Sequence, residues 1–211
     1  TNHNLVQIQD PLGRQPVRAE FDADERLVTV IDPTGARIAI AHDLDTRQEI
    51  VTDRLGKVSV MEYDERGNVV RQTDQLGRVA RRTYDSRDNL LSVIDPLGRV
   101  ATRTYDASNN LLTSVDFEGN TTGYTYDAQG NVLTITDVTG RVTTNVYDAQ
   151  RNLVQSTDGN GAVTRYSYDS AGNLLTLTDP LGNVTRLTYD LAGNQTTITD
   201  ALGRVTTMTH D

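Results

Sequence analysis

The chain has 211 residues and a formal net charge of −9; 36% of its residues are hydrophobic, 5% are aromatic, and Cys and Trp are absent. The apolar share lies below the roughly 45–50% of ordinary globular chains, which argues against a large aromatic core. Lack of Cys excludes disulfides and thiolate metal sites, and no apolar run approaches the roughly 18 residues of a membrane span.

Thr1-Asn2-His3-Asn4 lacks the basic, apolar pattern of a signal peptide. From there the chain repeats itself. An aromatic residue or His precedes Asp at Phe21-Asp22, His42-Asp43, Tyr63-Asp64, Tyr84-Asp85, Tyr105-Asp106, Tyr126-Asp127, Tyr147-Asp148, Tyr168-Asp169, Tyr189-Asp190 and His210-Asp211, always 21 residues apart. Between these pairs runs a second series, Asp-x-x-Gly, from Asp10–Gly13 to Asp200–Gly203, also stepping by 21 except for one extra residue near Gln15-Pro16. Self-similarity at such a period marks a repeat architecture. Residues 1–211 therefore read as a single array of ten repeats, cut as a segment from a longer chain.

Each Asp-x-x-Gly reads as a type I turn with Asp first and Gly fourth, with Asp95–Gly98, Asp137–Gly140 and Asp179–Gly182 as examples. Pro11, Pro33, Pro96 and Pro180 suit the second position. The other turn reads Tyr-Asp-x-x-Gly-Asn. Its fourth slot after Tyr holds Gly67, Asp88, Asn109, Gly130, Arg151, Gly172 and Gly193, mostly types that tolerate the left-handed region. Arg151 is an outlier that predicts mild strain. Glu25 and Thr46 stand in the slot in the earliest repeats, which predicts turns of a different kind there. Between turns lie six- or seven-residue stretches rich in Val, Thr, Leu and Ile, such as 131–136 and 141–147. These are strand signals. The expected fold is all-β: a long antiparallel meander of about two strands per repeat.

Side chains alternate faces along a strand, and the repeat is odd. Two odd hairpin loops would send Tyr63 and Tyr84 to opposite faces. No 42-residue period is visible, so one face switch per repeat is predicted, from an even loop or a bulge beside a left-handed residue. Tyr63, Tyr84, Tyr105, Tyr126, Tyr147, Tyr168 and Tyr189 would then share a face and pack on neighbours such as Leu111 or Val132. About twenty strands at ~4.8 Å spacing are too many for a flat open sheet, so the array should coil into a spiral or an open barrel-like shell.

The 29 acidic residues include ten Asp in each turn series. Acidity is thus a by-product of turn chemistry, since Asp at a turn's first position accepts backbone N–H bonds. No catalytic group, metal site or cofactor is expected, and nucleic acid is not expected as a partner. His42 and His210 replace Tyr in the repeat slot rather than forming a site. Arg78, Arg81, Arg82, Arg99 and Arg103 read as solvated or Asp-paired. Tyr124 and Tyr166, each two residues before a repeat Tyr, could join it in offering aromatic faces to a glycan.

The pattern Asp-Pro-Leu-Gly-Arg-Val-x-x-x-Thr-Tyr-Asp-x-x-Gly-Asn-Leu, nearly intact in Asp95 to Leu111 and Asp179 to Leu191, resembles the YD repeat of the Rhs family. That family takes in bacterial Rhs toxins, insecticidal toxin-complex subunits, wall-associated proteins and the animal teneurins. The resemblance implies a non-enzymatic, spiralling β-shell that encapsulates a C-terminal effector domain, or a cell-surface structural unit as in teneurins. It also implies a secreted or cell-surface, bacterial setting. The aspartic autoprotease region of cargo-releasing members has no counterpart, because Asp10, Asp95 and Asp179 each open an ordinary repeat turn. The alternative function is a glycan- or protein-binding module on the Tyr face. Two cut edges would also favour edge-to-edge self-association.

Overall fold

The computed structural model describes residues 7–8 and 17–210; the Asp10–Gly13 turn, the extra residue near Gln15-Pro16, His3 and Asp211 lie outside the described residues. The chain divides into two compact units, Thr1–Thr102 and Arg103–Asp211, both built from the same repeat.

The first unit contains β1 (Gln7–Ile8), β2 (Val17–Phe21), β3 (Leu27–Ile31), β4 (Arg37–Asp43), β5 (Gln48–Thr52), β6 (Val58–Tyr63), β7 (Val69–Thr73), β8 (Val79–Tyr84) and β9 (Leu90–Ile94). β10 (Val100–Tyr105) straddles the boundary. The second unit continues with β11 (Leu111–Val115), β12 (Thr121–Tyr126), β13 (Val132–Thr136), β14 (Val142–Tyr147), β15 (Leu153–Thr157), β16 (Val163–Tyr168), β17 (Leu174–Thr178), β18 (Val184–Tyr189), β19 (Gln195–Thr199) and β20 (Val205–Thr207). No helix occurs among the described residues. Within each unit consecutive strands pair antiparallel, as in Thr29↔Ala39 and Thr134↔Thr144. Tight turns permit nothing else between sequence neighbours. The all-β meander read from the sequence is the observed fold.

Both turn series close the same way. At Asp137 the backbone N–H donates to the Arg141 carbonyl (2.9 Å), and the Gly140 N–H donates back to the Asp137 carbonyl (2.9 Å). At Asp127 the equivalent bonds reach Asn131 (3.0 Å) and come from Gly130 (3.1 Å). Gly140 has φ 82° and Gly130 φ 84°, a left-handed geometry that glycine enters at no steric cost. Outside the β4–β5 loop, each described connection is a type I turn closed by one left-handed residue.

The two hairpins differ just beyond the turn. Between β13 and β14 the register runs unbroken from Thr134↔Thr144 to Thr136↔Val142. Between β12 and β13 it steps from Thr125↔Thr134 to Tyr126↔Val132, leaving Leu133 as an extra, bulged residue. The bulge is the face switch. Tyr124 lies opposite Ile135, which lies opposite Thr143. Because alternate residues share a face, Tyr126 and Tyr147 point to the same side. In the first unit, Met61↔Gln72 and Gln72↔Ala80 align Tyr63 with Tyr84 in the same manner.

The prediction that the Glu25 and Thr46 turns both depart from the repeat is half wrong. Glu25 takes φ 64° and the β2–β3 hairpin keeps its bulge, with Glu20↔Thr29 followed by Phe21↔Leu27. An unbranched side chain tolerates the left-handed region well enough there. Thr46 is β-branched and does not enter it. The left-handed residue passes to Arg47 (φ 54°), and His42↔Glu49 and Asp43↔Gln48 extend the register without a shift. The residue that bulges elsewhere is absorbed into a four-residue loop. Parity survives, since His42, Glu49, Met61 and Tyr63 still share a face.

Ile31, at 7% exposure, is the one buried hydrophobic residue among those described. β14 alternates exposed and half-buried positions, with the Tyr side half-buried, while β13 is half-buried throughout. Stability therefore rests on ladder hydrogen bonds, cross-strand pairs and turns more than on a packed interior.

Candidate functional site

Each predicted turn residue sits in its turn. The Asp95 carboxylate accepts the backbone N–H groups of Leu97 (2.8 Å) and Arg99 (2.9 Å) and the Arg99 Nε–H (2.7 Å). Asp179 accepts Leu181 N–H (2.9 Å), Asn183 N–H (2.8 Å) and the Asn183 side-chain amide (2.7 Å). Asp137 accepts Thr139 N–H (2.8 Å) and Arg141 N–H (3.0 Å). Gly98, Gly182, Gly172 and Gly193 are all left-handed, with φ between 81° and 87°. So is Arg151, at φ 70°, the outlier foreseen from its side chain.

These bonds favour ionised carboxylates. Asp64 is lowered to about 2, first by the Asn68 backbone N–H, against partial desolvation, with help from the Asn68 side chain and Arg66. Asp127, Asp148, Asp169 and Asp190 are lowered chiefly by the side-chain amide of the Asn four residues on. Such saturation leaves the carboxylates to hold turns rather than to relay protons. No group of three or more His, Cys, Asp or Glu side chains gathers among the described residues.

The repeat tyrosines do more than pack. Tyr84, Tyr126, Tyr147 and Tyr168 donate their hydroxyls to the carbonyls of Val69 (3.2 Å), Leu111 (2.8 Å), Val132 (3.1 Å) and Leu153 (3.0 Å), each 15 residues earlier. In the β12–β13 hairpin that acceptor residue, Val132, stands at the bulge, and its ladder with β14 begins only at Thr134. The hydroxyl thus satisfies a carbonyl that the register leaves out. Leu111 and Val132 are the neighbours the sequence singled out, but the bond is to the main chain. His42 and His210 place Nε2 against the Leu27 and Gln195 carbonyls (2.9 and 2.8 Å), filling the same role. Tyr63 differs: its hydroxyl meets the Met61 sulfur at 3.8 Å, because Gln48 is held in the unbulged ladder opposite Glu62. Tyr105 and Tyr189 end β10 and β18 in the same slot.

The opposite face carries hydroxyl pairs across the strands, Thr83–Ser92, Thr104–Thr113, Thr125–Thr134 and Ser167–Thr176, each at 2.6 Å. Of the arginines, Arg78 and Arg99 pair with Asp74 and Asp95 (2.6 and 2.7 Å). Arg82 instead donates to Gln72 Oε1 (3.1 Å), and Arg81 stands opposite Arg71, whose Nη1 meets Glu62.

Tyr124 and Tyr166 lie on the face of the repeat tyrosines. Burial raises the Tyr126 and Tyr168 phenols, and the phenols of Tyr124 and Tyr166 add to it. In the repeat between them the slot holds Asn145, and there a crevice of about 600 Å³ opens between the ends of β13 and β14. Asp127, Asn131, Leu133, Asn145, Tyr147 and Arg151 are among the residues that line it. The sequence reading passed over this place. Its one signal was the pairing of an outlying Arg151 with Asn145 in a slot that holds Tyr124 and Tyr166 in the adjacent repeats.

The RHS Repeat family profile matches residues 63–100, 84–121, 105–142, 126–163, 147–184 and 168–205, overlapping windows offset by one repeat. The chain belongs to the RHS-repeat family. No curated protein matches it. Among solved structures this RHS-repeat chain is similar to TcdB2-TccC3 without its hypervariable C-terminal region (16% identity over 94% of this chain, TM-score 0.60) and to TcdB2-TccC3-TEV (18% over 91%, TM-score 0.59). It is also similar to a chain of the Photorhabdus luminescens Tc holotoxin pore (18% over 91%, TM-score 0.58). It spans only 17%, 15% and 14% of those chains. At these identities the likeness is one of fold.

Proposed function

We propose that this RHS-repeat chain is a structural, non-enzymatic segment of a β-shell that encapsulates or displays an effector domain of its parent polypeptide, in a secreted or cell-surface bacterial setting. One observation carries the reading: within each unit the two-hairpin repeat aligns its tyrosines on one face, Tyr63 with Tyr84 and Tyr126 with Tyr147, Tyr168 and Tyr189, while Ile31 is the sole buried hydrophobic residue among those described. Such a sheet is a partition, not the cover of a core. Its saturated turn carboxylates keep the rims charged, and its other face mixes cross-strand hydroxyl pairs with exposed valines such as Val100, Val142 and Val146. Likeness to TcdB2-TccC3 supports the same architecture.

The test is protease protection in the parent polypeptide. A domain joined to this segment should resist digestion in the unaltered parent. It should become sensitive when Gly98→Val, Gly140→Val and Gly182→Val together loosen the turns. Ready digestion of that domain in the unaltered parent would remove the reading.

A further inference from the structure

The unbulged β4–β5 hairpin also differs from the others in its chemistry. In the sequence slot that holds Val70, Leu91, Leu112 and Leu133 in the four repeats that follow, it carries Glu49. Its regular register sets Glu49 between His42 and Met61, on the face of the repeat aromatics. The Glu49 side chain is only 27% exposed. A charge largely withdrawn from water needs a partner, and this carboxylate has no hydrogen-bond donor among the described residues. His42 Nδ1 stands 3.6 Å from Glu49 Oε2, beyond hydrogen-bond reach. The neighbouring cation, Arg47, is held by Glu65 instead (3.0 Å).

Two more groups at this place are under-used. His42 Nε2 lies 2.9 Å from the Leu27 carbonyl, which can only accept, so Nε2 carries the proton and Nδ1 of the neutral ring is left as an acceptor. The Tyr63 hydroxyl meets only the Met61 sulfur (3.8 Å), a weak acceptor, so its own lone pairs are free. Burial raises the Tyr63 phenol and the Glu49 charge adds to it, which puts the carboxylate within electrostatic reach of the hydroxyl. His42, Glu49 and Tyr63 together line a crevice of about 270 Å³. Asp43 and Asp64 line it too, but they are occupied by their own turns, Asp43 by the Asp45 and Thr46 amides and Asp64 by those of Arg66 and Asn68. We infer that this crevice binds a primary ammonium group, as carried by a lysine side chain or a small alkylamine. Three acceptors from three side chains, one of them charged, meet there with no donor but the phenol proton, and an ammonium brings three donors and the opposite charge. A guanidinium is a flat fork suited to two oxygens in one plane rather than to three separate atoms. A quaternary ammonium has no N–H to donate. A metal ion would find two ligands, since no third His, Cys, Asp or Glu joins His42 and Glu49 among the described residues. The site stands whether or not the sheet encloses another domain.

The test is a titration of the whole chain at about pH 8, where alkylamines are still charged, followed through the backbone amide signals of Gln48, Glu49 and Tyr63 in proton–nitrogen NMR. The probes are Nα-acetyl-lysine N-methylamide and n-butylamine, with Nα-acetyl-arginine N-methylamide and choline as comparisons. Both amines should give saturable shifts with a Kd of ~1 mM, as suits one charged group in an open crevice. A tighter lysine derivative would mark a polypeptide as the source of the ammonium, equal affinities a free alkylamine, and either supports the site. Glu49→Gln, close to isosteric, should weaken binding at least ~10-fold, and Tyr63→Phe ~5-fold, with both variants folded by circular dichroism. Three results would overturn the assignment: neither amine gives a saturable shift, Glu49→Gln binds as well as the unaltered chain, or the arginine derivative or choline binds as tightly as the lysine derivative.

Discussion

The β4–β5 and β12–β13 hairpins occupy equivalent places in the repeat and reach the same register by different backbones. In one, Gly130 takes the left-handed slot, a five-residue closure follows, and Leu133 bulges. In the other, Thr46 cannot take that slot, Arg47 does, and the surplus residue joins the loop. Both keep the aromatic or His slot on one face. What an odd repeat must conserve is therefore face parity, and the bulge is one of two ways to conserve it. The choice has a consequence a strand away. Beside the bulges at Val69, Leu111, Val132 and Leu153 a Tyr hydroxyl from the next repeat bonds the carbonyl, and at Leu27 and Gln195 a His does. Where it is absent, Tyr63 has no such acceptor and turns to Met61.

Acid should produce the largest effect, because it acts on all the turns. The turn carboxylates are lowered in the folded chain, Asp64 to about 2 from an ordinary value of 3.8. A lowered folded value means that the stabilisation is present above the unfolded pKa and is lost as pH falls through the folded one. Melting temperature should be flat at neutral pH and drop steeply as pH falls from about 4 toward about 2. A chain equally stable at both ends of that window would break the account of the turns that both hairpins share.

Single substitutions rank below this. Gly130→Thr should cost about 2 kcal/mol and drive the β12–β13 hairpin toward the four-residue loop, with Leu133 returning to regular alternation in NMR cross-strand contacts. Gly98→Val should cost a similar amount in chemical denaturation, since Gly98 sits at φ 81°. Gly123→Val should cost far less: its added carbon meets Thr136 Cβ only at 3.8 Å and the backbone there is ordinary strand. Equal losses for these two would undo the turn assignment. Tyr126→Phe removes the bond to the Leu111 carbonyl and should cost about 1 kcal/mol, whereas Tyr63→Phe should change stability little. Thr46→Gly is the smallest and sharpest: a gain of at most about 1 kcal/mol, with a bulge appearing at Glu49 and the Tyr63 hydroxyl moving to the Gln48 carbonyl. Persistence of the unbulged register in Thr46→Gly would show that something other than the branched side chain sets it.

Much of this was legible along the chain because turn chemistry is local. An Asp, a residue able to enter the left-handed region, and the amides between them close a loop within five residues, so strand number, strand length and antiparallel order follow from composition at fixed offsets. Parity even foretold that a bulge or an even loop must occur. Glu25 was misjudged, since tolerance of a positive φ by an unbranched side chain is a matter of one or two kcal/mol that neighbours settle. The acceptor of the Tyr84, Tyr126, Tyr147 and Tyr168 hydroxyls lies 15 residues back, beside a bulge that only the paired register reveals. The crevice at Asn145 lies where Asn145 and its cross-strand partner Ser156 are both small. Those features depend on which residues become neighbours across the sheet, a relation set by register and bulge once the strands have paired, and so they belong to the folded wall and not to any one repeat of its sequence.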